Sequence, residues 1–275
     1  MAHKFSLAHL TVLGWSPVEM AYNASLIGYD YISIRNINMG VKGERDFSIP
    51  IGGKRYEELK TALDITGIKI YDIELARVAD GVDVMSYEQA FESGASLGAK
   101  GMISSIWTSD KDFYMDQFAR LCDLAAQYGL TVNLEWPSWA AVGTLAQVRE
   151  VIDTVKRPNA GIMLDTLHAS RAYTTMEEIE AIPKEMLNMA HICDGPAEIP
   201  DPSDKESLIF TGRDARYYPG EGGIDIAGMV RRLRDDTVLS IELPNLERVE
   251  RYGYMEHARR CLQTTKEYLG KNGIN

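Results

Sequence analysis

The chain has 275 residues, 45% apolar and 25% charged, an ordinary globular composition with enough apolar side chains for one large core. A formal net charge of −11 and an isoelectric point near 5.0 weigh against a nucleic-acid partner, which needs a basic surface. No apolar run reaches bilayer-spanning length, so no membrane partner is expected.

The first residues, "MAHKFSLAHLTVLGW", contain neither a long apolar stretch nor a small-residue cleavage site, and no signal peptide is read there. Strand-like runs come in order: "FSLAHLT" (5–11), "YDYISIRN" (29–36), "IKIYDIEL" (68–75) and "KGMISSIW" (100–107). Then come "LTVNLEW" (130–136), "AGIMLDT" (160–166), "MAHICD" (189–194) and "TVLSIEL" (237–243). Stretches of helical period separate them. Ser16, with Pro17 and Glu19, predicts a capping box with proline at the first helical position; Thr144 with Gln147 and Thr175 with Glu178 repeat the box. Leu145, Val148, Val151, Ile152 and Val155 form one apolar stripe at helical spacing. Glycines 28, 67, 98 and 129 fall between a helix and the next strand, where left-handed backbone ends a helix.

Eight strand–helix alternations predict a parallel sheet with helical crossovers. An open doubly wound sheet usually carries G-x-G-x-x-G after its first strand, whereas "HLTVLGWSP" stands here. The expected fold is therefore α/β, a single (β/α)8 barrel forming one domain over residues 1–275. The exception to short connections is 194–224, too long for a plain loop and expected to be functional or disordered. The cysteines, Cys122, Cys193 and Cys261, show no paired spacing, which predicts a reducing cytoplasm and a metal site without thiolates.

Barrel enzymes place their chemistry at the C-terminal ends of the strands. The last four predicted strands deliver Glu135, Asp165, His191 and Glu242 at equivalent positions. Any one alone reads as a buried polar residue satisfied by hydrogen bonds. Three mutually repulsive carboxylates and an imidazole together read as one divalent metal site, suited to Mn²⁺ first and to Mg²⁺, Co²⁺ or Zn²⁺ after it. Trp15, Trp107, Trp136 and Trp139 fall just past strand ends, where they either stack a sugar or cyclitol or pack loops over the barrel. His9, Arg35 and Glu74 end the first three strands, to read substrate hydroxyls or to form a buried ion pair.

In "NLEW", "MLDTLH", "AHICD" and "SIELPN" the chain resembles the xylose isomerase-like TIM-barrel superfamily, in its sugar-phosphate isomerase/epimerase branch with tagatose 3-epimerase and the inosose isomerases and dehydratases. The resemblance implies a Glu–Asp–His–Glu metal set at Glu135, Asp165, His191 and Glu242. It pairs Asp165 with His168, which would bond the substrate oxygen that gains charge. It matches the arginine preceding a Pro-Gly-x-Gly turn to Arg216, or second to Arg213, for the same oxygen or a distal carboxylate. Glu135 and Glu242 would remove and return a proton beside a carbonyl through an enediolate. The implied reaction is epimerisation or isomerisation of a sugar, ketose or cyclitol, with dehydration or another β-elimination as the alternative; a dimer or tetramer is implied as well. A non-catalytic sugar-binding barrel and a metal-dependent nuclease are further alternatives. The related endonuclease IV needs a histidine-rich site, and this chain has five histidines. Xylose isomerase proper carries a second metal site, for which no extra carboxylate cluster stands near Glu242. Glu221 in "PGEGG" argues against phosphate cradled by that turn.

Overall fold

A computed structural model of the chain describes residues 3–38 and 45–274. Its strands are β1 (Phe5–Ala8), β2 (Tyr31–Arg35), β3 (Lys69–Val78), β4 (Gly101–Ile106), β5 (Thr131–Leu134), β6 (Ala160–Asp165), β7 (Leu187–Ile192) and β8 (Leu239–Ile241). They close into one barrel in chain order, with β8 pairing back in parallel to β1. The fold is the expected (β/α)8 barrel.

Strand alternation divides the interior in two. Ile32 and Ile34 of β2 join the large core between sheet and helices, while Ser33 between them bonds Ser6 and Asp72 inside the barrel. A small separate cluster of Ile103, Met163 and Met189, flanked by Tyr71 and Leu75, fills that inner space. On the outside, helix Leu145–Val155 buries all five residues of its stripe, each contributing about 1.5–3 kcal/mol. The three capping boxes form as expected. Gly28 and Gly67 end their helices at φ 100° and 71°, and Gly98 and Gly129 share that left-handed region.

The predicted strand ends each move by one to three residues, and three of the moves bear on the site. The first strand stops at Ala8, and 9–12 turn into a 3-10 helix. The His9 amide there donates to Glu74 Oε1 at 3.1 Å rather than continuing the ladder. β3 runs three residues further, to Val78, across a register shift between Ile73 and Ala76. β5 ends at Leu134, one residue before Glu135.

The long segment after β7 is ordered. It holds helix Lys205–Asp214 and returns antiparallel to its start through a bridge between Asp194 and Tyr217. The buried Asp194 carboxylate accepts the N–H groups of Gly195, Gly220, Gly222 and Ile224 at 2.8–3.1 Å. A Cβ on Gly222 would lie 2.0 Å from the Gly195 carbonyl oxygen, so this close return requires glycine. Among the described residues no helix is long and apolar enough to cross a membrane.

Removing Asp194 strands those amides. Asp194→Ala is expected to cost about 3 kcal/mol or more in urea denaturation and to open 194–224 to proteolysis. A second prediction concerns pH. His9 and His257 each use both ring nitrogens inside the protein. Burial holds them neutral, pushing their pKa values from 6.5 to about 3 and about 4. The unfolded chain takes up these protons near pH 6.5 and the fold does not. The contribution of these two residues is thus full above pH 6.5 and falls as pH drops toward 4, by about 1.4 kcal/mol per pH unit per imidazole. Denaturation midpoints measured across that interval should show this slope, reduced by about one proton in His257→Gln.

Candidate metal centre and active-site cavity

Asp165 closes β6, His191 lies in β7, and Glu135 and Glu242 each come one residue after their strands. Asp165 pairs in register with His191, and His191 with Ser240 two residues before Glu242, which sets the side chains at one level. All four are buried, and one ligand atom from each lies within 4.8 Å of the others.

Asp165 has two tasks. Its Oδ1 caps helix Thr166–Arg171, accepting from the Leu167 and His168 amides at 2.7 and 3.0 Å. Its Oδ2 is left for Arg216, whose Nη1 donates at 2.7 Å. Arg216 Nη2 meets Glu242 Oε2 at 2.8 Å, and its Nε donates to the Gly212 carbonyl at 2.8 Å. This guanidinium, 1% exposed, reaches the cluster from the end of the 194–224 segment. Glu135 has no such partner among the described residues; its nearest is His168 Nε2 at 3.8 Å.

These placements split the electrostatics. Burial pushes the Glu135 carboxyl well above the usual carboxylate range, and the charges of Asp165 and Glu242 push it further. Burial acts the same way on Asp165 and Glu242, yet Arg216 holds Asp165 below its ordinary value, and His191 with Arg216 does so for Glu242. Burial alone would lower His191, but Glu242 and the other carboxylates outweigh it and raise the imidazole to about 10. Burial lowers His168 to about 4, leaving a neutral imidazole.

The residues fit a divalent ion. Neither ring nitrogen of buried His191 completes a hydrogen bond among the described residues. Its Nδ1 faces Glu242 Oε2 at 3.3 Å and Asp165 Oδ2 at 3.8 Å, the aspect of a ligand sharing a centre with them. Three carboxylates and one imidazole form an oxygen-rich donor set, and Glu135 is the donor that still lacks a cation.

The cluster opens into a cavity of about 540 Å³ that exposes Glu135, Glu242, His168 and Arg216. Trp107, Arg35 and Arg213, candidates for the substrate side, line it. Arg35 is held by Glu74 at 3.1 Å. Four other candidates for the substrate side do not line the cavity, and Glu74 with Arg35 forms the buried ion pair that was the other reading. His9 uses both ring nitrogens on the Trp15 carbonyl and the Arg35 amide. Glu74 is buried and acts through Arg35 and the His9 amide. Trp15 packs against Tyr254. Trp136 is wholly buried in the core. Trp139 faces the cavity beside Trp107, edge-on to His168 with centroids 4.8 Å apart. Arg45, Phe47 and Arg77 also line the wall, and sequence reasoning misses them. Arg77 has a signal, for it lies two residues past the predicted end of a strand that runs longer; Arg45 and Phe47 sit in a loop with no periodic mark.

A family model described as xylose isomerase-like TIM barrel matches residues 21–265, and the chain belongs to that family. Inosose isomerase of Bacillus subtilis is 24% identical over 197 residues, 67% of this chain and 66% of that protein, so the match spans just under two thirds of the relative's length. A crystal structure of IolI protein with a bound zinc atom superposes with a TM-score of 0.78 at 21% identity, covering 98% of this chain and 99% of that one. A 3-dehydroshikimate dehydratase of Pseudomonas aeruginosa is 27% identical over 116 residues, 42% of this chain and 17% of that protein.

Because an ion would displace protons from the cluster, Mn²⁺ binding at neutral pH is expected to release about one proton or more. Calorimetric titration in two buffers of different ionisation enthalpy measures it. His191→Ala should weaken binding beyond the roughly 100-fold that loss of an outer-shell partner brings.

Proposed function

We propose that this protein is a metal-dependent enzyme that moves a proton on the carbon beside a carbonyl of a sugar, ketose or cyclitol, an epimerase or isomerase. The observation that carries the reading is the buried four-donor cluster opening directly into a cavity of substrate size. A divalent cation, with Mn²⁺ preferred for an oxygen-rich set, would be held by Glu135, Asp165, His191 and Glu242, and when bound supplies Lewis-acid stabilisation of negative charge on substrate oxygens. Glu135 and Glu242 reach the cavity from β5 and β8, with two strands between them. A substrate carbon seated between the two carboxylates can lose a proton to one oxygen and regain it from the other. His168, neutral and with Nδ1 lacking any hydrogen-bond partner, is available to donate to the substrate oxygen that gains charge. Arg216 holds Asp165 and Glu242 in place for this chemistry. Trp107 and Trp139 wall the cavity and exclude water. The three buried free thiols support a reducing, cytoplasmic setting.

A second reading, loss of water from a β-hydroxy ketone, is favoured by the dehydratase likeness. It begins with the same proton removal. Incubating the Mn²⁺-loaded protein with ketoses and inososes in D₂O, with NMR detection, separates the two. Deuterium beside the carbonyl supports isomerase or epimerase chemistry, and a new alkene or deoxy-ketone supports the dehydratase. Glu135→Gln is expected to slow exchange by at least about a hundredfold; wild-type rates in that variant would overturn its role.

A further inference from the structure

The four-donor cluster forms the floor of the cavity, and the loops and helix ends over it form the wall. His168 stands where the two meet, and no hydrogen bond aims its ring. Its Nδ1 has no partner among the described residues, and its Nε2 meets Glu135 Oε1 at 3.8 Å, beyond hydrogen-bond reach. An imidazole that presents one nitrogen to a reacting group is ordinarily aimed by a hydrogen bond at the other. Here the Trp139 indole lies edge-on against it, with centroids 4.8 Å apart and planes at 75°.

The indole is itself placed from the other side. Its Nε1–H donates to no group among the described residues, so shape and not hydrogen bonding locates the ring. The turn after β5 fixes its backbone, with the Ala140 amide donating to the Pro137 carbonyl at 2.7 Å. Its six-membered ring lies on the bare Cα of Gly212, inside helix Lys205–Asp214. A glycine within a helix is destabilising relative to alanine, and Gly212 does not take the left-handed backbone that would require one. Close approach accounts for it: a Cβ there would come within 2.3 Å of Trp139 Cη2 and 2.8 Å of Cζ3. The carbonyl of the same glycine accepts from Arg216 Nε at 2.8 Å.

Within the reading above, in which His168 faces the substrate, we propose that Trp139 and Gly212 are positioning residues. Helix Lys205–Asp214 seats Trp139 against His168 through the Cα of Gly212, and anchors Arg216 through its carbonyl. The aim of the imidazole and the countercharge at the floor are thereby set by one residue, and neither can be displaced from that side without the other.

The test uses Trp139→Phe, Gly212→Ala, the two combined, and Trp107→Phe as a control at a second indole of the cavity. Phenylalanine is shorter and withdraws the ring atoms that a Cβ on residue 212 would strike. The His168 ring is followed by nitrogen NMR of isotope-labelled histidine in the protein without metal or substrate, its signal assigned by loss in His168→Gln. Mn²⁺ affinity is measured by calorimetry, and exchange in D₂O with D-fructose and an inosose as probes. Trp139→Phe should broaden or split the His168 signal, leave Mn²⁺ affinity near wild type, and lower kcat for exchange by at least about tenfold, more than it changes KM. Gly212→Ala should disturb the signal and also weaken Mn²⁺ binding by about tenfold or more. The combined variant should regain the affinity and not the signal, and Trp107→Phe should keep both. An unchanged His168 signal in Trp139→Phe overturns the proposal, as does an equal disturbance in Trp107→Phe. Wild-type signal and affinity in Gly212→Ala, or no recovery of affinity in the combined variant, overturns the part of Gly212. Should Gly212→Ala fail to fold, Trp139→Phe decides. A wild-type protein that exchanges neither probe counts against the proposed reaction, while the NMR signal and Mn²⁺ affinity still decide the positioning role.

Discussion

The structure is organised around buried negative charge. Two ionised carboxylates about 4 Å apart repel by about 4 kcal/mol at an effective dielectric of 20, more than one buried leucine contributes. Glu135, Asp165 and Glu242 lie together under that constraint. Arg216 answers part of it by bridging Asp165 and Glu242. To do so it must arrive at the barrel mouth in a fixed position, and the 194–224 segment that carries it is fixed by the four amides on Asp194. A segment that looks too long for a connection is thus the element that delivers countercharge. Gly212 belongs to the same logic: its carbonyl anchors Arg216 Nε, and its missing Cβ makes room for Trp139, which would otherwise lie 2.3 Å away.

Fold and floor were legible because both obey periodic rules. Alternating strands and helices, three capping boxes and glycine helix ends specify the barrel, and strand ends specify where Glu135, Asp165, His191 and Glu242 stand. Position past a strand end carries no such rule. Trp136 and Trp139 both come after β5, yet the chain turns at Pro137, sending one indole into the core and the other to the cavity. His9 and Glu74 fall where the sequence predicts strand tops, but they serve each other and Arg35. Arg77 reaches the wall because a register shift lengthens β3, a property of pairing between strands that no single strand's sequence displays.

The two regions have different mechanical origins. Floor side chains are set by hydrogen-bonded register, so moving one would disturb two neighbouring strands. Wall side chains come from loops and strand extensions, which change without altering the sheet. In the proposed reading, the choice of substrate falls to the wall, which includes Arg213, Trp107 and Trp139.

That division also locates the choice between the two reactions. In the proposed chemistry, removing the proton beside a carbonyl is common to both and is assigned to Glu135 and Glu242. The fate of the resulting electron pair depends on which substituent the wall holds in line with it. A hydroxyl so held, with a proton donor beside it, leaves as water; without that alignment the proton returns to carbon. His168, neutral and edge-on to Trp139, is fixed at one point on that wall, so in the proposed chemistry the pose of the substrate decides whether it faces a carbonyl oxygen or a departing hydroxyl. Recognition and reaction type are then one property of the wall, acting on a floor that permits either outcome.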